Sequence, residues 1–174
     1  MAKWLIDGAH SEIGFKVRHM MISNVSGKFE QFTAEVEAEN DDFSDAKFSF
    51  SAAIDSINTG VADRDGHLKS PDFFDAAAHP NLTFTSTGVT VKGEGELEIA
   101  GEMSIRGVSK AVVLKAENAG IVVDPYGQTK TGFAITGKIK RSEFGLVWSA
   151  VTEAGSIVVG DEVTLNCEVQ FVKG

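Results

Sequence analysis

The sequence predicts an all-β chain, a meander of about eight antiparallel strands closed on itself with one short helical interruption. Three observations carry this expectation. Apolar and polar residues alternate with period two along most of the chain, as in strands with one dry and one wet face. Glycine is common and proline scarce, 18 against three, which suits bends and tight turns between strands. Only the stretch from Val61 to Ser70 loses the alternation and reads as helical. With 174 residues, the chain is long enough for one full core and short for two, so residues 1–174 are taken as a single domain.

The elements follow in order. Ile13, Phe15 and Val17 alternate with Glu12, Lys16 and Arg18. Phe48, Phe50, Ala52 and Ile54 alternate with Lys47, Ser49 and Ser51. Asn58 or Thr59 is the expected N-cap of the helical stretch, and Pro71 ends it because the residue before proline avoids helical geometry. Leu97, Ile99, Met103 and Ile105 share one parity. Phe133, Ile135 and Ile139 alternate with Thr136, Lys138 and Lys140, and Val163, Leu165, Cys167, Val169 and Phe171 close the chain in the same way. Asp124-Pro125-Tyr126-Gly127 places Pro and Gly for a type I turn between two long strands. Asn40-Asp41-Asp42, Lys92-Gly93 and Arg106-Gly107 are weaker turn signals.

Charge removes several function classes. The net charge is −9 and the Lys and Arg residues are scattered, so neither nucleic acid nor an anionic membrane surface is an expected partner. No stretch reaches membrane-spanning length, so stable membrane insertion is not expected either. The amino terminus lacks an apolar signal core: a chain complete as given is expected in the cytoplasm, and one trimmed of a leader in the periplasm. The single cysteine, Cys167, lies in the apolar register of its strand and reads as a buried thiol. His10 and His19 are separated by an odd interval and face opposite sides of a regular strand, and no metal-ligand spacing occurs, so no metal is expected. No nucleophile elbow or phosphate loop is present, and Trp4 and Trp148 read as barrel-end plugs.

The 12 phenylalanines, against one tyrosine, offer apolar surface for a packed core or for the wall of a cavity. An eight-stranded barrel admits both: its interior holds side chains or one small ligand. A hydrocarbon tail of about ten carbons, at roughly 0.8 kcal/mol per buried methylene, gives near-micromolar affinity before ordering costs. Beside this potential interior lies Arg64-Asp65-Gly66-His67-Leu68, followed by Phe73-Phe74-Asp75. Three readings stand. His67 is a general base oriented by Asp65 or Asp75 with Arg64 as anion clamp; or the group holds a polar head at a cavity mouth; or Arg64 pins the helix through an ion pair to Asp65 or Asp75.

The residues also carry a family resemblance. Trp4, Ile6-Asp7, His10-Ser11, Val17-Arg18-His19-Met20 and Gly27 open the pattern. Thr59, Arg64-Asp65, His67-Leu68, Phe73-Phe74-Asp75 and Pro80 continue it, and Ile105-Arg106-Gly107-Val108, Arg141, Phe144-Gly145-Leu146, Trp148 and Val159-Gly160-Asp161 complete it. From Trp4 to about Phe171 the chain resembles the YceI family, bacterial polyisoprenoid-binding proteins with a lipocalin-like barrel. Met103 stands where leucine is more usual and His79 where tyrosine is common.

The resemblance implies an eight-stranded antiparallel lipocalin-like barrel with one short helical segment near residues 61–70. It implies an isoprenoid or other long-chain amphiphile held as ligand in an apolar tunnel, with no cofactor required, and it admits a homodimer. Phe15, Val17, Phe29, Phe84, Ile105 and Phe133 are the expected tunnel residues, with Phe73 and Phe74 nearer the helix. His19, Arg64, Asp65 and His67 are the expected head-group residues. The leading expectation is a non-enzymatic store, carrier or sensor of such a lipid. The alternatives are an enzyme acting on it through Arg64 and His67, and a solidly packed stress-response protein that binds partners.

Overall fold

The computed structural model of the protein describes residues 2–19, 22–146 and 159–174, with the side chains of His19 and Val159 also outside the description; Met20 and Trp148 lie outside the described residues. The described strands are β1 (Ala2–Ile6), β2 (Glu12–His19), β3 (Ser23–Phe29), β4 (Phe32–Ala38), β5 (Lys47–Ala53), β6 (Ile57–Asn58), β7 (Asn81–Gly93), β8 (Glu96–Ile105), β9 (Val108–Val123), β10 (Thr129–Lys140) and β11 (Val159–Lys173). The helix, α1, spans Ala62–Lys69.

These strands make eight staves. β1 pairs with one end of β11 and β2 with the other, so β1 and β2 are one stave broken by the 3-10 turn Gly8–His10. β3 and β4 are a second stave, interrupted at Glu30 and Gln31, and β5 and β6 a third, interrupted by the 3-10 turn Ile54–Ser56. The order β1-β4-β5-β7-β8-β9-β10-β11 returns to β1, and every pairing is antiparallel. The sheet therefore closes into an up-and-down barrel, which leaves no open edge along that ring.

Parity sets the inside. On β8, Leu97, Ile99, Met103 and Ile105 are buried while Glu96 and Glu102 are exposed. On β10, Phe133 and Ile139 are buried between exposed Ala134, Thr136, Lys138 and Lys140. Two glycines let aromatic rings lie against the wall. A Cβ at Gly101 would stand 2.5 Å from the Phe84 ring, and one at Gly27 would stand 2.5 Å from the Phe15 ring.

The turns follow their chemistry. Gly127 donates its amide to the Asp124 carbonyl at 3.0 Å and is left-handed at φ +83°, closing the expected type I turn between β9 and β10. The Asp124 carboxylate accepts from the amides of Gln128 and Tyr126, which holds its carboxyl below the usual range. Arg106 and Gly107 are both left-handed, as the two central residues of a type I′ hairpin must be. The reversal expected at Lys92-Gly93 falls two residues later, at Glu94-Gly95. The helix N-cap is Val61, with no side-chain cap, rather than Asn58 or Thr59. Those two are used one turn earlier: the Gly60 amide donates to Asn58 Oδ1, and Thr59 is bound by Arg64 and Asp65.

Candidate functional site

The barrel interior is not filled. Phe15, Leu165 and Cys167 point inward from mid-strand positions yet are only partly buried, because the surface they keep looks into a cavity. Enclosure still dominates the chemistry of Cys167: burial pushes its thiol up to about 11, against a weaker opposing hydrogen bond from the Gly14 backbone.

The cavity has two chambers. The upper one, about 250 Å³, lies beneath α1. The deeper one, about 110 Å³, is walled by residues such as Phe48, Phe84, Ile99, Met103 and Cys167. Phe15, Phe29, Leu82 and Leu165 belong to both walls, so the chambers adjoin at a waist flanked by the Phe15 and Phe29 rings, which pack against each other with centroids 5.7 Å apart.

The mouth is built by the connector between β6 and β7. β6 ends at Asn58, and β7 begins only at Asn81. The intervening chain supplies wall residues that a strand would otherwise provide, among them Arg64, His67, Leu68, Phe73 and Phe74. Arg64 is anchored at one side: its Nε donates to Thr59 Oγ1 at 2.8 Å and its Nη2 to the Thr59 carbonyl at 2.7 Å. The Thr59 hydroxyl and amide in turn donate to Asp65 Oδ1. His67 Nε2 lies 2.9 Å from Asp72 Oδ2, and its ring stands edge-on to Phe73 with centroids 5.2 Å apart.

A second guanidinium closes the arrangement. Arg141 is 7% exposed, donates from Nε to the Gly160 carbonyl and from Nη1 to the Leu146 carbonyl, and lies 5.9 Å over the Phe73 ring. Burial lowers its pKa, with the nearby Asp161 opposing that shift. Arg18 lines the same chamber. Among the described residues no Asp or Glu lines the upper chamber, although the chain as a whole carries −9. The cavity thus runs from a cationic mouth into a depth walled almost wholly by apolar side chains.

The expected site residues divide accordingly. Phe15, Val17, Phe29, Phe73, Phe74 and Ile105 line the upper chamber together with Arg64 and His67, and Phe84 lines the deeper one. The His19 side chain lies outside the described residues. Two residues do not stand where expected. Asp65 does not line the cavity, because its carboxylate turns back to Thr59 and fixes the entry to α1. Phe133 faces inward but lies beyond the cavity, 3% exposed within a cluster of rings at the far end. The ion pair expected between Arg64 and Asp65 or Asp75 is replaced by their shared partner Thr59, and the carboxylate beside His67 is Asp72.

Arg141 was singled out only within the family pattern, but its parity gives it away. It continues the inward series Phe133, Ile135 and Ile139 past the end of β10. Asp72 has no such signal, since Pro71 begins the turn that folds it back beside His67.

A closed antiparallel barrel with an apolar cavity and a polar mouth under a short helix is a lipocalin-like architecture. The family model of the YceI-like domain matches residues 4–171, and the chain belongs to that family. A UPF0312 protein of Staphylococcus aureus is 34% identical over 172 residues, 98% of each chain. The Campylobacter jejuni YCEI protein superposes with a TM-score of 0.77 at 35% identity, covering 97% of this chain and 96% of that one. A polyisoprenoid-binding domain from Saccharophagus degradans, 15% identical and covering 98% of each chain, shares the fold with a TM-score of 0.70. Among the described residues no helix is long and apolar enough to cross a membrane.

Proposed function

We propose that this chain binds one long-chain amphiphilic lipid of the isoprenoid type, acting as its store or carrier and carrying out no chemistry on it. The observation that carries the reading is the two-chambered apolar cavity whose upper chamber is lined by Arg18, Arg64 and Arg141 beside His67. The tail lies past the Phe15–Phe29 waist, where each buried methylene contributes roughly 0.8 kcal/mol. The polar end stays at the mouth, within reach of Arg64, His67 and Arg141, and no cofactor is needed. Membership of the family and the shared fold with a polyisoprenoid-binding domain support the choice of an isoprenoid tail.

Titration of delipidated protein with a prenyl alcohol and the corresponding prenyl phosphate tests this. Binding at micromolar concentration or tighter is expected from about ten buried carbons. Absence of binding far above that concentration contradicts the reading.

The His67–Asp72 contact on the cavity wall favours one second reading, an enzyme that moves a proton on the bound head group. If such an activity is detected, His67→Ala must abolish most of it; an unchanged rate removes His67 from that role.

A further inference from the structure

Aromatic rings dominate the core at the far end of the barrel, packed among aliphatic residues such as Val36 and Val169. Phe133 packs edge-on against Phe43, Phe48 and Phe171, with centroids 5.1, 5.4 and 6.0 Å away, and Phe43 does the same to Trp4 at 5.6 Å. Trp4, Phe43, Phe133 and Phe171 are each 3% exposed or less. Phe48 and Phe171 have a second role, since they also form the floor of the deep chamber. One ring of this cluster is held in place at a backbone cost. Phe43 sits at φ +60°, a region that aromatic residues avoid. Its loop is tied down around it: Phe43 donates to the Asn40 carbonyl, Ala46 donates to the Phe43 carbonyl, and the Asp45 carboxylate accepts from the amides of Glu39 and Asn40.

Such a floor does not yield to an advancing tail. Edge-on aromatic contacts fill space in several directions, interiors at that density are hardly compressible, and a ring has two torsions where Met or Leu would offer softer packing. The chamber above it is small, about 110 Å³ against 250 Å³ nearer the mouth. Resting on the lipid-binding reading above, we infer that the Phe48–Phe171 floor, backed by Phe133, is a length gauge, which sets the longest tail this protein accepts in full and leaves any surplus carbons at the mouth.

The gauge gives affinity a shape. While each added methylene is buried, binding strengthens about fourfold per carbon; once the tail touches the floor, the gain stops. Straight-chain fatty acids of increasing length, titrated by calorimetry into delipidated protein, locate that break. In Phe48→Ala the break is expected at a longer tail. In Cys167→Phe, which fills the deep chamber from its wall and leaves the floor intact, it is expected at a shorter one, and this variant carries the test if Phe48→Ala fails to fold. A break at the same length in wild type and Cys167→Phe, or no break in the wild type, overturns the gauge while leaving lipid binding in place. No binding at any length overturns lipid binding itself, and the gauge with it.

Discussion

The two ends of this barrel use phenylalanine in opposite ways. At the far end Phe43, Phe133 and Phe171 are buried against one another, and only the rings that form the floor also touch the cavity. In the upper chamber Phe15 and Phe74 keep accessible faces, Phe73 carries a guanidinium over its ring, and the neighbours are Arg64, His67 and Arg141. The first arrangement stabilises the closed barrel; the second leaves room for something else to be buried. A chain that packed both ends alike would have no cavity, and one that opened both would have lost its core.

The largest effect should come from a charge placed in the apolar depth. Phe84→Asp puts an unpaired carboxylate where Phe84 is 6% exposed, and is expected to cost several kcal/mol and to abolish folding or ligand uptake. Near-normal denaturation midpoints would put Phe84 on the outer face and break the account of β7.

A pair of truncations sharpens the contrast between the ends. Phe133→Ala removes a ring that touches three others and should destabilise by about 3–5 kcal/mol. Phe15→Ala, whose ring already faces empty space, should cost clearly less, about 2 kcal/mol or below. Denaturant unfolding of the two side by side decides it, and equal losses would mean that the ends are packed alike.

The two mouth arginines should separate in the same way. Arg141→Ala releases the carbonyls of Gly160 and Leu146 and is expected to lose about 2–3 kcal/mol of stability. Arg64→Ala loses only bonds to Thr59, so its main effect should fall on ligands, weakening an anionic head group more than a neutral one. Equal losses for both ligand types would assign Arg64 to structure.

The outward face of the mouth gives the smallest effect. Burial pushes the Asp161 carboxyl up, but the amide and hydroxyl of Ser142, at 2.9 and 2.8 Å, and Arg141 outweigh it and leave the pKa below its ordinary value. A carboxyl whose folded pKa is the lower one contributes fully above its unfolded pKa of about 3.9, and that contribution disappears as pH falls through the folded value. Stability measured against pH should therefore fall less steeply below about pH 4 in Asp161→Asn than in the wild type. Parallel curves would remove Asp161 from the acid response.

Much of this was legible in the sequence. Period two gave the staves and their inward faces, and Asp124-Pro125-Tyr126-Gly127 gave its turn. The three broken staves were not legible, because Gly8–His10, Glu30-Gln31 and Ile54–Ser56 are short interruptions inside otherwise regular alternation. Parity also says which side a residue faces and nothing about how deep along the barrel it lies. Phe133 and Ile105 share an inward face, yet one belongs to the ring cluster and the other to the cavity wall. The mouth was half legible: Arg64 and His67 stand out as a cluster, but their partners Thr59 and Asp72 are chosen by the fold of the connector.

The most direct test of the central claim is to purify the protein without detergent, record its native mass, and identify what an organic solvent extracts from it. A discrete lipid at one per chain, with a long apolar tail, is the expected result. A protein that is empty as isolated and also refuses added prenyl lipids would contradict the account.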